Sequence, residues 1–505
     1  MARRAHLFAA ASVLVACLAL TLPVVASATG SAGHIDMTSE LPLAQQFGYT
    51  PDYTQHVPTF DPDNVPAIRS RSANQHETAF VHRLEHGTWV RHDFLAALRA
   101  AYPDFAGTVS SGGWSSDRVD FDAQGRAYTV LTIRLEEGAY RNVLLASTDG
   151  CATWTVVELP FGDDTPQIDE IDWGNVAAEH DTGRLLQGPP LLAIWRQTGP
   201  WKGEWASRNE LYVVQPRWQG STLTLQPPVL VRRDYLGVLQ CAGGASFAVT
   251  DGDQSFFVYS TTVPLSQNTS PTWSATYDHL TNTVGPSILV CTSRPGNDSH
   301  NSPGICMDGA GILHVVSGSH NWSFYYARSL VPRSTTAWTF STPVLSSGYR
   351  TSATDPGGRG SQTYVSLVCG PDGVLHVVSR QARRATDSHF GGVAYAALVH
   401  QAFRPGQGWS TPDLIVVPPA TGYSLYYHKL TMDRLGRLFV SCSYFSQRDP
   451  PATRQNRRFH HRMVLISEDG GSTWRFATTA DFGAGVSALR KLKAAASGEP
   501  ASAEP

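Results

Sequence analysis

Long apolar runs are missing from most of this 505-residue chain. After Val25 no stretch of 18 apolar residues remains, so the sequence beyond its N-terminus offers no candidate for a membrane-spanning helix. Excess basic charge is missing as well, because 39 Lys and Arg residues stand against 42 Asp and Glu, a formal net charge of -3. This balance argues against the basic surface with which proteins bind nucleic acid.

The N-terminus has the three-part layout of a secretory signal peptide. Two arginines are followed by an apolar stretch and then by small residues, at Arg3 and Arg4, Leu7 to Val25, and Ala26 to Ala28. We expect residues 1–28 to be removed and the mature protein to be secreted. A lipoprotein-type cleavage before Cys17 is the alternative. It is disfavoured because the chain stays apolar beyond Cys17, where a lipidated terminus should turn polar.

Cysteine is scarce, and no pair has the Cys-x-x-Cys spacing of a zinc site. Six of the seven cysteines would survive cleavage, an even number that permits disulfides in an exported chain without revealing their pairing. Runs of the residues that favour long helices are also few. By contrast, 44 Gly, 32 Pro, 13 Trp and 18 Tyr are typical of an all-β protein rich in turns.

An internal repeat of about 62 residues organises the chain. A turn followed by an alternating apolar strand places Leu313, Leu375 and Leu438 at intervals of 62 and 63 residues. Weaker copies lie near residues 127–128, 191–193 and 256–258. Between about residue 60 and about residue 480 there is room for nearly seven units, each long enough for four strands. The sequence therefore predicts a seven-bladed β-propeller of four-stranded antiparallel blades, a single domain over residues 29–480.

Two segments match the Asp-box pattern Ser-x-Asp-x-Gly-x-Thr-Trp. Ser467 to Trp474 fits at every defined position, and Ser147 to Trp154 fits except for Cys151, where glycine is expected. Such boxes form hairpin turns on the outside of propeller blades, so we expect a structural role. The tail from Gly483 onward is rich in Ala, Ser, Gly and Pro, and residues 481–505 are predicted to be disordered.

Polar residues that recur at the blade period are candidates for a shared site, because a propeller gathers equivalent positions of its blades around one channel. Counting from the repeated leucines brings together two histidines, two tyrosines and an arginine from three adjacent blades: His300, His320, Tyr364, Arg380 and Tyr427. His314 and His376 lie inside the repeated strand itself, and we expect them to be structural.

The segment from His300 to Asn321, followed by Tyr325-Tyr326-Ala-Arg328, resembles the BNR-4 repeat family. That family includes seven-bladed polysaccharide lyases, notably ulvan lyases. This chain shares the spacing of their histidine pair and of their Tyr–Arg pair, with 20 residues from His300 to His320 and 16 from Tyr364 to Arg380. The resemblance is strong over residues 290 to 445.

The resemblance implies β-elimination at a 4-linked uronic acid in an acidic, ulvan-like polysaccharide. Arg380 would neutralise the carboxylate, Tyr364 and His300 would transfer protons, and His320 would position the sugar. Asn321 and a downstream tyrosine would bind substrate. Blade alignment gives that tyrosine as Tyr427, whereas family spacing favours Tyr423. The residues do not decide which group is the base and which the acid.

No cofactor motif accompanies these residues, and the chemistry requires none. No residue cluster names a metal site, and a structural calcium or zinc ion stays open. Arg383 and Arg384 are candidates for binding sulfate, but two surface arginines are more often only solvated. We expect a monomer whose partner is an acidic polysaccharide.

Two other functions compete with the lyase. A sialidase-like glycoside hydrolase would need an arginine triad and a Tyr/Glu nucleophile pair, and glutamate is sparse in the repeated segments. A propeller that binds carbohydrate without catalysis is the third hypothesis, since a fold does not determine a function.

Overall fold

The computed structural model describes residues 33, 35–36, 57–71, 79–110, 118–161, 176–198, 207–236, 246–262, 269–294, 301–344, 362–383, 395–418, 421, 423–446 and 461–497. All of them belong to one compact unit, Gly33–Pro505. They form a seven-bladed β-propeller of four-stranded antiparallel sheets, as the repeat predicts. Within these residues no helix is both long and apolar enough to cross a membrane.

Strands are numbered along the chain, and β1 (Ile35–Asp36) joins the sheet of the sixth blade. Blade 1 contains β2 (Pro58–Phe60), β3 (Pro66–Arg71), β4 (Ala79–Glu85) and β5 (Thr88–Asp93). After helix α1 (Leu95–Ala101), blade 2 contains β6 (Phe105–Ser110), β7 (Asp120–Phe121), β8 (Ala127–Leu135), β9 (Tyr140–Ser147) and β10 (Thr155–Glu158). Blade 3 contains β11 (Val176–Ala178), β12 (Leu192–Gln197), β13 (Ser207–Val214) and β16 (Val229–Leu236), with the hairpin β14 (Pro216–Gln219) and β15 (Thr222–Leu225) inserted.

Blade 4 contains β17 (Ala248–Asp251), β18 (Gln254–Ser260), β19 (Ser270–Asp278), β20 (Thr283–Val284) and β21 (Ile288–Ser293). Blade 5 contains β22 (Gly304–Met307), β23 (Leu313–Ser317), β25 (Tyr325–Arg328) and β26 (Thr342–Pro343), while β24 (His320–Trp322) leaves it for the next sheet. Blade 6 contains β27 (Gln362–Cys369), β28 (Leu375–Arg383), β29 (Tyr395–Arg404), β30 (Gly408–Trp409) and β31 (Asp413–Val417). Blade 7 contains β32 (Tyr423–Met432), β33 (Leu438–Ser446), β34 (His461–Ser467) and β35 (Arg475–Phe476).

The repeated leucines mark the same point of blades 5, 6 and 7. Leu313, Leu375 and Leu438 are the first residues of the second strands, and all three are fully buried. The weaker copies near residues 192 and 256 also lie in second strands, β12 and β18. The copy near residue 127 lies in β8, which is the second strand of blade 2 if β6 and β7, which both pair with it, are counted as one interrupted first strand. The period is therefore that of one blade, and the buried leucine at its start explains why the pattern recurs.

An aspartate turn joins the first and second strands in four blades. Its carboxylate accepts hydrogen bonds of 2.8 to 3.0 Å from the backbone N–H groups two and four residues later, at Asp61, Asp122, Asp308 and Asp433. Blade 6 has Gly370 at this position, where a Cβ would press on Asp372, and the Asp372 carboxylate accepts the N–H of Val374 instead. We call this end of the blades the turn end.

The first blade packs directly on the last and closes the ring through hydrogen bonds. The Thr431 hydroxyl donates to the Pro58 carbonyl over 2.7 Å, and the Asn64 amide donates to Asp433 over 3.1 Å. Residues 180–186 then cross the turn end from blade 3. The Thr182 carbonyl accepts the N–H of Cys369 in blade 6, and the Leu186 carbonyl accepts that of Ala123 in blade 2. This segment therefore connects blades 2, 3 and 6 at the turn end.

Both Asp boxes form the expected turns between the third and fourth strands. In each, the Asp carboxylate accepts hydrogen bonds from its own turn, and the Trp indole donates to the carbonyl three residues earlier. Cys151 adopts φ 74°, close to the φ 92° of Gly471 at the matching position. The blade 2 box thus has the same shape although it lacks the glycine.

The prediction of a disordered tail is wrong for residues 481–497, which belong to helix α2 (Thr479–Ser497). Thr478 and Asp481 form a capping box, with the Thr478 N–H donating to the Asp481 carboxylate over 2.7 Å. Phe482 is fully buried and stacks on Phe439 of blade 7 at 5.1 Å. The reading of the tail from composition missed both the cap and this anchor.

Candidate active site

Two irregular strands define the candidate site. β27 and β32 are the first strands of blades 6 and 7, and each loses its pairing register over two residues, at 364–365 in β27 and 427–428 in β32. Each irregularity begins six residues before the turn that follows its strand. That turn starts at Gly370 in blade 6 and at Asp433 in blade 7. The two bulges therefore occupy equivalent repeat positions at the end of the blades opposite the turn end. Bulges re-aim side chains and are common beside active sites.

Tyr364 occupies the bulge of β27 with a positive φ of 62°. Such a conformation is unusual for a bulky residue and persists only where the surroundings enforce it. The side chain is 1% exposed and belongs to the apolar cluster that blades 3 and 4 otherwise form. Because blade 5 separates blade 6 from blade 4 around the ring, the Tyr364 side chain must extend into the central channel.

Arg380 lies beside Tyr364 because β28 pairs with β27, with Thr363 opposite Arg380. Its guanidinium carbon lies 4.6 Å from the centre of the Tyr364 ring, a cation–π contact. One guanidinium N–H donates to the Leu425 carbonyl of blade 7 over 3.2 Å. Arg380 is 8% exposed, so this positive charge is held in largely buried surroundings.

His320 reaches the site through a change of sheet. It lies on β24, which continues from blade 5 but pairs with β27 of blade 6, with His320 opposite Thr363. The His320 ring stacks on the Tyr364 ring at 6.3 Å. Asn321 follows at φ 62°, and its backbone N–H donates to the Thr363 hydroxyl over 2.9 Å. The structure thus brings together His320, Asn321, Tyr364 and Arg380.

His428 joins this group although it was not among the selected candidates. Its ring lies 6.5 Å from that of Tyr364, and its Nε2–H donates to the Val378 carbonyl over 3.0 Å. Burial, with further contributions from Lys429 and Arg380, lowers the pKa of His428 to about 3. Its position directly after Tyr427, at the blade period, was the available sequence signal.

The remaining candidates have other placements. His300 lies outside the described residues, and so does the side chain of Tyr427, whose backbone belongs to the bulge of β32. Tyr423 begins β32 and packs against the apolar cluster between blades 6 and 7. Arg383 ends β28 with its side chain outside the described part, and Arg384 lies beyond it.

The histidines expected to be structural have buried partners inside the blades. His314 bonds Tyr326 over 2.8 Å through Nδ1, and its Nε2 lies 3.2 Å from Asp308. His376 and His400 are hydrogen-bonded to each other over 3.0 Å. These contacts explain a histidine in the repeated strand without any catalytic task.

A second buried polar group lies between blades 2, 3 and 4. Asp120 accepts a 2.6 Å hydrogen bond from His180 Nδ1, and the His180 backbone N–H donates to the Ser246 hydroxyl. Burial lowers the pKa of His180, although Asp120 opposes the shift. The adjoining cavity, also lined by Arg118, measures only about 10 Å³, which is room for a water and not for a sugar.

Metal-binding groups are not evident in the part of the chain that the structure describes. No cluster of three or more His, Cys, Asp or Glu side chains there is arranged to hold an ion. The described cysteines, Cys151, Cys291, Cys306, Cys369 and Cys442, are buried free thiols.

The C-terminal half of the chain matches a family model. Residues 255–501 match the BNR-4 family, described as a BNR repeat-containing family member. The matched range includes His300, His320, Tyr364 and Arg380, and it confirms the resemblance to this family. A comparison with curated protein sequences finds no significant match.

Several solved structures are similar to the chain at low identity. The polysaccharide lyase Uly1 is 14% identical over 46% of this chain and 54% of its own, with a TM-score of 0.31, so the chain spans about half the length of that lyase. The α-L-arabinanase of Penicillium chrysogenum is 14% identical over 69% of this chain and 92% of its own, with a TM-score of 0.36. The sialidase of Trypanosoma rangeli is 12% identical over 87% of this chain and 60% of its own, with a TM-score of 0.37.

Proposed function

We propose, from the BNR-4 match over residues 255–501 and from the cluster around Tyr364, that this chain is a secreted polysaccharide lyase. Its substrate would be an acidic polysaccharide that contains uronic acid, of the ulvan kind. The observation that carries the proposal is the contact of 4.6 Å between the Arg380 guanidinium and the Tyr364 ring, with His320 stacked on the same ring. A carboxylate receptor and two groups able to transfer protons thus lie on three neighbouring strands of one sheet, β28, β27 and β24.

The arrangement suits the chemistry of β-elimination. A base removes the C5 proton of the uronate, the electron pair forms the C4–C5 double bond, and the C4–O bond breaks. The leaving oxygen takes a proton from an acid. Negative charge builds on the carboxylate as C5 is deprotonated, and a fixed guanidinium stabilises that charge.

Each described residue of the cluster around Tyr364 then has a task that its position supports. Arg380 receives the carboxylate, and Tyr364, whose ring the guanidinium contacts, exchanges a proton. His320 and Asn321 lie on β24, which pairs with β27 on the side away from β28, and they orient the sugar. His300, which lies outside the described residues, is assigned to proton transfer with Tyr364 from the family resemblance alone. Because Tyr364 is only 1% exposed, substrate binding has to open the channel above it.

The deciding experiment is a panel digestion of acidic polysaccharides with the mature protein, followed by ultraviolet absorbance of the products. A lyase creates an unsaturated uronate, which absorbs, and Tyr364→Phe should abolish its formation while thermal unfolding stays close to that of the wild type. New reducing ends without the chromophore would identify a hydrolase. Retention on a polysaccharide column without any product would identify a binding module.

A further inference from the structure

We propose that His428 is a positioning residue of this site, which holds Arg380 and Tyr364 in the arrangement that receives the uronate. The inference rests on the proposed lyase function and adds a residue to it. The blade period points to the position of His428 but not to its role, which follows from its contacts with two strands of blade 6.

Two hydrogen bonds cross between β28 and β32 in opposite directions. Arg380 on β28 donates to the Leu425 carbonyl on β32 over 3.2 Å, and His428 on β32 donates to the Val378 carbonyl on β28 over 3.0 Å. Val378 precedes Arg380 by two residues, so its backbone fixes the point from which the guanidinium extends. A third bond, from the Leu430 N–H to the Ser366 hydroxyl at 2.8 Å, ties β32 to β27.

The same imidazole also restrains Tyr364. The two rings lie 6.5 Å apart with an interplanar angle of 53°, and the Arg380 guanidinium contacts the tyrosine at 4.6 Å. A tyrosine at φ 62° needs restraints from its surroundings, because a bulky side chain disfavours that backbone conformation. His428 and Arg380 are two such restraints, and the hydrogen bond to Val378 links them.

His428 is suited to holding other groups and not to transferring protons. It is fully buried, and burial together with Lys429 and Arg380 lowers its pKa to about 3. The ring therefore stays neutral at ordinary working pH, with its proton on Nε2 toward the Val378 carbonyl. A second positive charge beside Arg380 is avoided, which preserves the attraction of that guanidinium for a carboxylate.

The test uses two amide variants of the full chain. Glutamine places its N–H donor near the position of histidine Nε2, whereas asparagine places it near Nδ1. H428Q should keep kcat/KM within about fivefold of the wild type, and H428N should lose about thirtyfold because the bond to Val378 is broken. Product formation is followed by ultraviolet absorbance, and thermal unfolding is measured for both variants.

A double-mutant cycle separates positioning from a general structural effect. In the Arg380→Ala background, H428N should add less than about threefold, because the residue it positions is already gone. The proposal is overturned if H428N retains wild-type kcat/KM, if H428Q loses as much as H428N, or if H428N costs the same factor in both backgrounds. If the wild type forms no unsaturated product from any polysaccharide of the panel, the lyase function fails and this inference fails with it.

Discussion

The two ends of the blades follow different rules. At the turn end, four aspartates accept the same pair of backbone hydrogen bonds. The residue three positions after each aspartate has positive φ, and so does the residue three positions after Gly370 in blade 6. These five residues are Asn64, Gly125, Gly311, Gly373 and Gly436. At the opposite end, two neighbouring first strands bulge, and a tyrosine takes the positive φ.

The difference between the two ends indicates that the turn end contributes to stability and that the opposite end carries the candidate site. Glycine or asparagine adopts positive φ at little cost, so the turn end satisfies its backbone groups in an ordinary way. Tyrosine at φ 62° is costly, and the groups near its ring include those of Arg380, His320 and His428. Changes at the turn end should therefore alter unfolding, and changes around Tyr364 should alter catalysis.

The largest expected effect is that of Arg380. Arg380→Ala should lower kcat/KM about a thousandfold, the loss typical of one group that stabilises charge in the transition state. Arg380→Lys should recover little, because an ammonium group cannot bond a carboxylate with two parallel N–H groups while also reaching Leu425. Steady-state kinetics on the active polysaccharide measure both values.

The matched control makes the same change at the turn end. Arg437 donates to Asp433 over 2.7 Å, so Arg437→Lys should lower the unfolding temperature while leaving kcat/KM unchanged. If Arg380→Lys and Arg437→Lys affect activity equally, the assignment of the two ends to separate tasks is wrong.

The next effect concerns the backbone of the turn end. Gly471 has φ 92°, and a Cβ there would overlap the His400 ring. Gly471→Ala should lower the free energy of unfolding by about 3 kcal/mol, from steric overlap and backbone strain together. Gly373→Ala is the control, since φ is 77° there but no atom lies within 4 Å of the added Cβ.

That control should lose only about 1 kcal/mol. Chemical denaturation measures both variants, and any activity of each on the polysaccharide panel should match that of the wild type. Equal losses in the two variants would show that the φ requirement alone, and not packing on His400, makes glycine necessary at Gly471.

The repeat predicted the fold well because a buried leucine begins the second strand of blades 5, 6 and 7, and weaker copies mark the second strands of blades 2, 3 and 4. The same count brought Tyr364 and Arg380 together. Tyr364 lies eleven residues before Leu375 and Arg380 five residues after it, and the pairing of β27 with β28 places Thr363, the neighbour of Tyr364, opposite Arg380. The spacing could not show why His320 comes close to Tyr364. Along the chain His320 belongs to blade 5, and only the pairing of β24 with β27 brings it to blade 6.

Other misses have different physical causes. Helix α2 depends on Phe482 packing against Phe439 and Trp89, a tertiary contact that composition does not reveal. His428 owes its place to a bulge, which changes the direction of side chains without changing the sequence period. Sequence periodicity therefore predicts regular parts of this fold better than the irregular ones that form the site.

The smallest expected effect is a pH dependence of stability from the histidine pair His376 and His400, which shares the turn end with the second Asp box. Burial, the main cause in each case, lowers the pKa of His376 to about 4 and that of His400 to about 3. The unfolded chain protonates near pH 6.5, so between pH 6.5 and about 4 it binds more protons than the folded chain. Stability from this pair is complete above pH 6.5 and should fall as the pH drops toward 4.

His400→Gln removes one of these titrations, and His428→Gln, at the site end, is the matched variant because His428 is also buried with a lowered pKa. Chemical denaturation between pH 7 and pH 4 should show a shallower decline for each variant than for the wild type. The two variants differ in the other contact that each one loses. His428→Gln removes a ring that contacts Tyr364, whereas His400→Gln disturbs the packing beneath Gly471. An unchanged slope for His400→Gln would mean that the pair at the turn end is already protonated, or rearranged, in the folded chain.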